Sequence, residues 1–159
     1  MRRPGSAADA AAPAADSAAE LKARALRHLV RREHSRAELA RKLSPHAESR
    51  EALEELLDAL AARKQLSDER YAEARAHQLA RKYGAARIRA DLKAKGIAPE
   101  VAARVSGEGE LERARAILAR KYRDRASTRE EIARRMRFLL GRGFSQDTIR
   151  KLLPTDLAE

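Results

Sequence analysis

The sequence predicts an all-α protein, three tandem three-helix repeats forming an elongated, curved array, and three observations lead there. Apolar residues recur at helical spacing from Glu20 onward, and no stretch alternates as a strand would. Serine, glycine and proline stand where short helices must begin or end. A set of cap, leucine and glycine returns after about 47 residues, a period that belongs to stacked helical arrays.

The elements follow in chain order. Residues 1–18, rich in Ala and Pro, carry no periodic pattern and read as a disordered tail. The first repeat, 20–65, opens with the stripe Leu21, Ala25, Leu26, Leu29 and Val30. Ser35 and Glu38 form a capping box before Leu39 and Leu43, and Ser44-Pro45 ends that helix. Leu53, Leu56, Leu57 and Leu60 line a third helix that ends near Arg63.

The second repeat, 67–107, starts at Ser67, with Asp68 and Glu69 in the first turn, where carboxylates favour the positive end of the helix dipole. Tyr71, Ala72, Ala76, Leu79 and Tyr83 form its apolar face, and Gly84 stops it. Ile88 and Leu92 are the buried edge of a short helix that Gly96 ends, and Pro99 opens another. In the third repeat, 108–154, a turn "SGEGE" leads to Leu111, Ala114, Leu118 and Tyr122. A second capping box at Ser127 and Glu130 precedes Ile132, Met136, Leu139 and Leu140; Gly143-Phe144-Ser145 caps a last helix with Ile149, Leu152 and Leu153. Gly143-Phe144-Ser145 follows Gly96-Ile97-Ala98 by 47 positions, and Ser35, Leu39 and Leu43 precede Gly84, Ile88 and Leu92 by 49.

Composition narrows the function. Of the 159 residues 43% are hydrophobic, but much of that is alanine, and aromatics make up 3% against 37% charged. Such a chain has few large side chains for one broad core, so a row of small bundles is expected. It has no cysteine, which excludes disulfides and thiolate metal sites. No apolar run nears the roughly 20 residues needed to span a bilayer. The N-terminus lacks the apolar core of a secretory signal. A cytoplasmic protein with no membrane partner is expected.

Catalytic and cofactor chemistry finds no motif. His28, His34, His46 and His77 lack metal-ligand spacing and read as surface or rim residues, so no metal site is expected. No phosphate-cradling glycine loop is present, so no nucleotide or other cofactor is expected. Glu48, Glu51, Glu54, Glu55 and Asp58 lie along a leucine-striped helix as its solvated face, and no enzyme is expected.

What remains is charge: +11 overall, with +3 over residues 20–66, +4 over 67–107 and +4 over 108–159. A distributed cationic surface of this kind points to a polyanionic partner. Its candidates are Arg81, Lys82, Arg87, Arg89, Lys93 and Lys95 in the second repeat, and Arg134, Arg135, Arg137 and Arg142 in the third. Phosphates or an acidic protein face would serve equally as their partner. A DNA-binding protein of helix-turn-helix-like modules acting in transcription is the alternative, although Asn and Gln, which read base edges, are nearly absent. The five aromatics stand mostly at core-like spacings, which leaves little for stacking on single strands.

The stretch "LSDERYAEARAHQLARKYGAARIRADLKAKGI" resembles the central signature of the RecX regulatory proteins through Asp68, Tyr71, Ala72, Gly84, Arg87, Ile88, Leu92, Lys95, Gly96 and Ile97. "ALRHLVRREHSRAELARKL" and "RFLLGRGFSQDTIRKLL" resemble the family's opening and closing repeats. The resemblance implies a non-enzymatic modulator of the RecA recombinase that binds the RecA filament on single-stranded DNA and suppresses its ATP hydrolysis, strand exchange and coprotease activity; a monomer is expected. The resemblance also implies direct binding to DNA, single-stranded and in addition double-stranded. The first repeat departs from the pattern at "LSPHAES", where the Gly-Ile pair is missing.

Overall fold

The computed structural model describes residues 12–153, and among them the regular elements are helices with no strand. In order they are α1 (Ala18–Arg31), α2 (Arg36–Leu43), a 3-10 turn at Ser44–His46, α3 (Arg50–Ala62), α4 (Asp68–Leu79), α5 (Ala85–Ala94), α6 (Pro99–Ala102), α7 (Glu110–Lys121), α8 (Arg129–Gly141) and α9 (Gln146–Leu152).

The apolar spacing resolves into three separate cores. Leu21, Ala25, Leu39, Leu43, Leu53, Leu57, Leu60 and Leu66 close the first between α1, α2 and α3. Tyr71, Ala72, Ile88, Leu92, Ile97 and Ala102 close the second, and Ala114, Ile117, Ile132, Leu139, Phe144, Ile149 and Leu153 the third. Leu39, Leu43, Leu57, Ile88, Leu92 and Leu139 are at most 1% exposed. Each contributes about 1.5–3 kcal/mol on burial. Val30 does not join the stripe expected of it and is 86% exposed. It lies about 100° around the helix from Leu29, beyond the face that α2 and α3 cover.

Several caps differ from expectation. The tail expected to reach residue 18 ends sooner, because Ser17 and Glu20 make a capping box that starts α1 at Ala18. Asp16 is tied down as well: its N–H donates to the His46 carbonyl (2.9 Å), and its carboxylate takes Arg24 Nε (2.7 Å). Residues 1–11, the rest of that tail, lie outside the described residues. At α2 the expected box is half made: Ser35 Oγ accepts from Glu38 N (3.1 Å), while the Glu38 carboxylate turns to Arg32. The Arg32 guanidinium pulls the Glu38 pKa down to about 2 against the cost of burial. At α8 the box is formed by Thr128 and Glu131, one position later than Ser127 and Glu130. Thr128→Ala should lower stability by about 1 kcal/mol. Urea unfolding would measure it, and an unchanged midpoint would contradict the cap's role.

The repeats meet through one joint used twice. The start of α2 abuts the end of α5: Ser35 Oγ donates to Lys95 O (3.3 Å) and Arg36 N to Asp68 Oδ1 (2.8 Å). The start of α5 abuts the end of α8 in the same manner: Gly84 N donates to Arg142 O (2.8 Å), Ala86 N to Gly143 O (3.3 Å) and Ala85 N to Glu110 Oε1 (3.0 Å). Lys95 and Arg142 each follow the last residue of their helix, and Asp68 and Glu110 each open the first helix of the next repeat. The orphan amides that begin α2 and α5 are thus satisfied by the following repeat. α8, with no further repeat after it among the described residues, caps itself.

Gly84 therefore does something other than stop a helix. α4 ends at Leu79, and Gly84 is the N-cap of α5 with an ordinary φ of −80°. What the site requires is the absence of a side chain: a Cβ there would lie 2.3 Å from Gly143 O. Gly96 and Gly143 take the left-handed geometry expected of glycine, at φ +82° and +81°.

Candidate functional site

The joint between the second and third repeats gathers half of the cations singled out in the sequence. After α4, the chain through Arg81 and Lys82 presents carbonyls toward the third repeat. Arg120 Nη2 donates to Arg81 O (3.0 Å) and Arg142 Nη1 to Lys82 O (3.1 Å). In the opposite direction Arg87 Nη1 donates to Gly141 O (2.9 Å), at the end of α8. Helix C-termini carry partial negative charge, so guanidinium groups are held well there.

The same groups stack on rings. Arg87 and Arg142 lie over Tyr83 at 4.4 and 5.4 Å. Arg142 also lies 5.1 Å from the Phe138 ring, and Lys121 is 4.0 Å from Phe138 and 5.7 Å from Tyr122. Arg135 closes the series 4.5 Å over Tyr122. Tyr122 and Phe138 themselves meet edge to face with centroids 6.1 Å apart. The result is an alternating ladder of Arg87, Tyr83, Arg142, Phe138, Lys121, Tyr122 and Arg135. Six such contacts fall on three rings, and four cations make them.

The ladder's cations also enter no ion pair among the described residues. The ion pairs found among the described residues use Arg24, Arg32, Arg36, Lys42, Arg70, Arg75, Arg115 and Lys151, and none engages Arg81, Lys82, Arg87, Arg120, Lys121, Arg135 or Arg142. The one buried carboxylate nearby, Glu110, spends its oxygens on Ala85 N, Ser145 N and Thr148 Oγ1.

Of the predicted residues, Arg81, Lys82, Arg87, Arg135 and Arg142 come together at this joint. Arg89 does not: it is half-buried and donates to Val105 O (2.8 Å) beyond the end of α6, which makes it an internal tie of the second repeat. Lys93, Lys95, Arg134 and Arg137 are exposed and lie outside the ladder. Sequence reasoning missed Arg120, Lys121 and the three rings. A signal was there: Arg-Lys-Tyr occurs at 81–83 and again at 120–122, each time at the end of a repeat's first helix.

Two further expectations change. Tyr83, Tyr122 and Phe138, read as core-like, are half-buried, and only Tyr71 and Phe144 of the aromatics are fully inside. His34, read as a rim residue, is 2% exposed. Its Nδ1 lies 3.0 Å from Arg32 O and its Nε2 2.9 Å from Lys42 Nζ. A carbonyl only accepts and an ammonium only donates, so the proton sits on Nδ1 and the ring is neutral. Burial pushes its pKa down in agreement. Among the described residues no helix is long and apolar enough to cross a membrane.

Comparison with known proteins places this geometry in a family. Residues 67–105 match the family model for the second three-helix domain of RecX, and residues 108–153 match that for the third. The regulatory protein RecX of Leptothrix cholodnii is 46% identical over 136 residues, covering 84% of this chain and 87% of that protein. That of Herbaspirillum seropedicae is 44% identical over 138 residues, covering 85% and 90%. The crystal structure of RecX from Lactobacillus salivarius superposes with a TM-score of 0.74 at 23% identity, covering 89% of this chain and 97% of that one, and so shares the fold. On these matches the chain belongs to the RecX family of regulatory proteins.

Proposed function

We propose that the chain is a non-enzymatic regulator that binds RecA nucleoprotein filaments, as a cytoplasmic monomer, and lowers their ATP hydrolysis, strand exchange and coprotease activity. The observation that carries this reading is the row of cations without ion pairs among the described residues, spread along a family member built of repeats and densest where the second and third repeats join. A filament presents phosphate and acidic protein groups at regular intervals. A row of cationic bundles can touch successive protomers, and each added contact raises the effective concentration of the next. Bridging neighbours would favour one filament state over the motions that hydrolysis and subunit exchange require. Such inhibition needs no reactive side chain.

The test adds the protein to RecA, ATP and single-stranded DNA. Hydrolysis and strand exchange should fall as the protein approaches stoichiometry with RecA, and rates that stay unchanged would overturn the reading. Lys93→Glu combined with Arg137→Glu, both exposed and outside the joint, should weaken inhibition several-fold while leaving the melting temperature in place. Tight, sequence-dependent binding to duplex DNA without RecA would point instead to a helix-turn-helix-like transcription module.

A further inference from the structure

We propose that His34 makes the joint between the first and second repeats a pH-sensitive hinge: in mild acid its ring takes a proton, Lys42 is expelled, and the first repeat comes away from the second while the other joint holds. The proposal is independent of the filament reading and stands on where the ring sits. Glu33, Ser35 and Arg36, the residues on either side of it, carry bonds across this joint. Arg70 Nε donates to Glu33 Oε1 (2.8 Å), Ser35 Oγ to Lys95 O (3.3 Å) and Arg36 N to Asp68 Oδ1 (2.8 Å). His34 is 2% exposed and Ser35 0%, so a displaced ring displaces the bonds beside it. In the second joint, 49 positions on, Tyr83 stands in the place of His34 and Arg87 in that of Glu38. Neither tyrosine nor arginine changes charge in mild acid, whereas histidine does.

The surroundings of the ring accept only its neutral form. Nδ1 donates to Arg32 O (3.0 Å), and Nε2 accepts from Lys42 Nζ (2.9 Å). A proton on Nε2 would set two cationic donors face to face at that distance. The other titratable and charged groups around this network are His28 on α1, its ring centroid 5.6 Å away, Arg32 and Glu33 in the linker, and Glu38 on α2. Neither carboxylate is free to balance a second charge: Glu38 is held by Arg32 (3.0 Å) and Lys42 (3.5 Å), and Glu33 by Arg70. Arg32, Glu33 and Glu38 line one wall of a cleft of about 370 Å³ at the joint, and Tyr71, Arg75 and Lys95 of the second repeat line the other. A disturbance of the network is therefore felt at the seam between the repeats. Burial holds the His34 pKa below its ordinary value, and that of His28 in the same direction. A histidine of this kind adds stability above its unfolded value, near 6.5, and gives it up as pH falls from there toward the folded value.

The experiment follows single amides of the full chain by hydrogen exchange in NMR at about pH 7.5 and about pH 5.5, a range in which ordinary carboxylates do not titrate. Each rate is divided by that of an unstructured chain at the same pH. With the ring neutral in the closed joint and at its ordinary value in the open one, the open population rises about 10-fold across this range. Protection of Arg36 N–H, bonded to Asp68, should fall by that factor, while that of Gly84 N–H, bonded to Arg142 O, should stay within about 2-fold. His34→Gln, whose amide can donate to Arg32 O and accept from Lys42, should abolish the fall and keep the native protection at the higher pH. Lys42→Met, which keeps the ring and removes the opposing ammonium, should raise the pH at which the ring signals of His34 titrate and shrink the fall. Equal Arg36 protection at the two pH values would overturn the proposal. So would a loss shared equally by Gly84, a fall that persists in His34→Gln and so belongs to His28, or one undiminished in Lys42→Met.

Discussion

Gly84→Ala should uncouple the second repeat from the third while each keeps its own core. The new methyl would sit 2.3 Å from Gly143 O and 2.5 Å from Phe144 N, both backbone atoms that no rotamer change can move. The two chains would have to part by about 1 Å to restore ordinary contact, which breaks the bonds from Gly84 N to Arg142 O and from Ala86 N to Gly143 O. It also draws Ala85 N away from Glu110. Buried groups left without partners cost about 1–3 kcal/mol each, so a total near or above about 3 kcal/mol is expected. Ile88 and Leu92 on one side, and Leu139 and Ile149 on the other, do not depend on the joint. Far-UV dichroism at room temperature should therefore change little, while thermal unfolding moves down and spreads into steps, as in arrays whose nearest-neighbour term is removed. A variant melting in one transition at the original temperature would refute the account.

This glycine also marks where the sequence stopped being legible. Element positions followed from short-range chemistry that the sequence displays directly: Ser67 and Ser145 capping, Pro99 at a first helical position, leucines four apart. Gly84 looked like a helix stop because a glycine after a helical run usually is one. Its real constraint comes from Gly143, far along the chain, and no local pattern carries that. The ladder was hidden for a similar reason. Tyr83 and Phe138 stand at core spacing and do pack partly on their cores, each with an arginine four residues on, Arg87 and Arg142, over its face; only the docking of the repeats brings Arg142 over Tyr83 as well and joins the two pairs into one series. Charge in the right region could be read; which of it would be held rigidly, and which would be spent on carbonyls, could not.

Glu110→Gln should be the other large loss, and it should depend on pH. Glu110 is 4% exposed and binds donors from both sides of the joint: Ala85 N at 3.0 Å on Oε1, Ser145 N at 3.2 Å and Thr148 Oγ1 at 2.9 Å on Oε2. Burial alone would raise its pKa, but these donors outweigh burial and hold the carboxyl below its ordinary range. A carboxylate whose pKa falls on folding adds stability above its unfolded value, near 4.3, and gives that stability up as pH drops toward the folded value. Glutamine turns one acceptor into a donor, so at least one N–H at the joint faces another donor, at a cost of about 2–3 kcal/mol near neutral pH. In acid the native carboxyl takes up a proton and becomes nearly as poor an acceptor set as the amide, so the gap between the two proteins should shrink. Urea unfolding of both at pH 7 and at about pH 3.5 measures it. A gap equally wide at both values would show that shape rather than charge fixes the joint. Asp68, which accepts a single amide from Arg36 at the other joint and is only half-buried, sets the scale: Asp68→Asn should cost less than about 1 kcal/mol. The difference arises because Glu110 sits between two helix starts, those of α5 and α9, and accepts an amide from each.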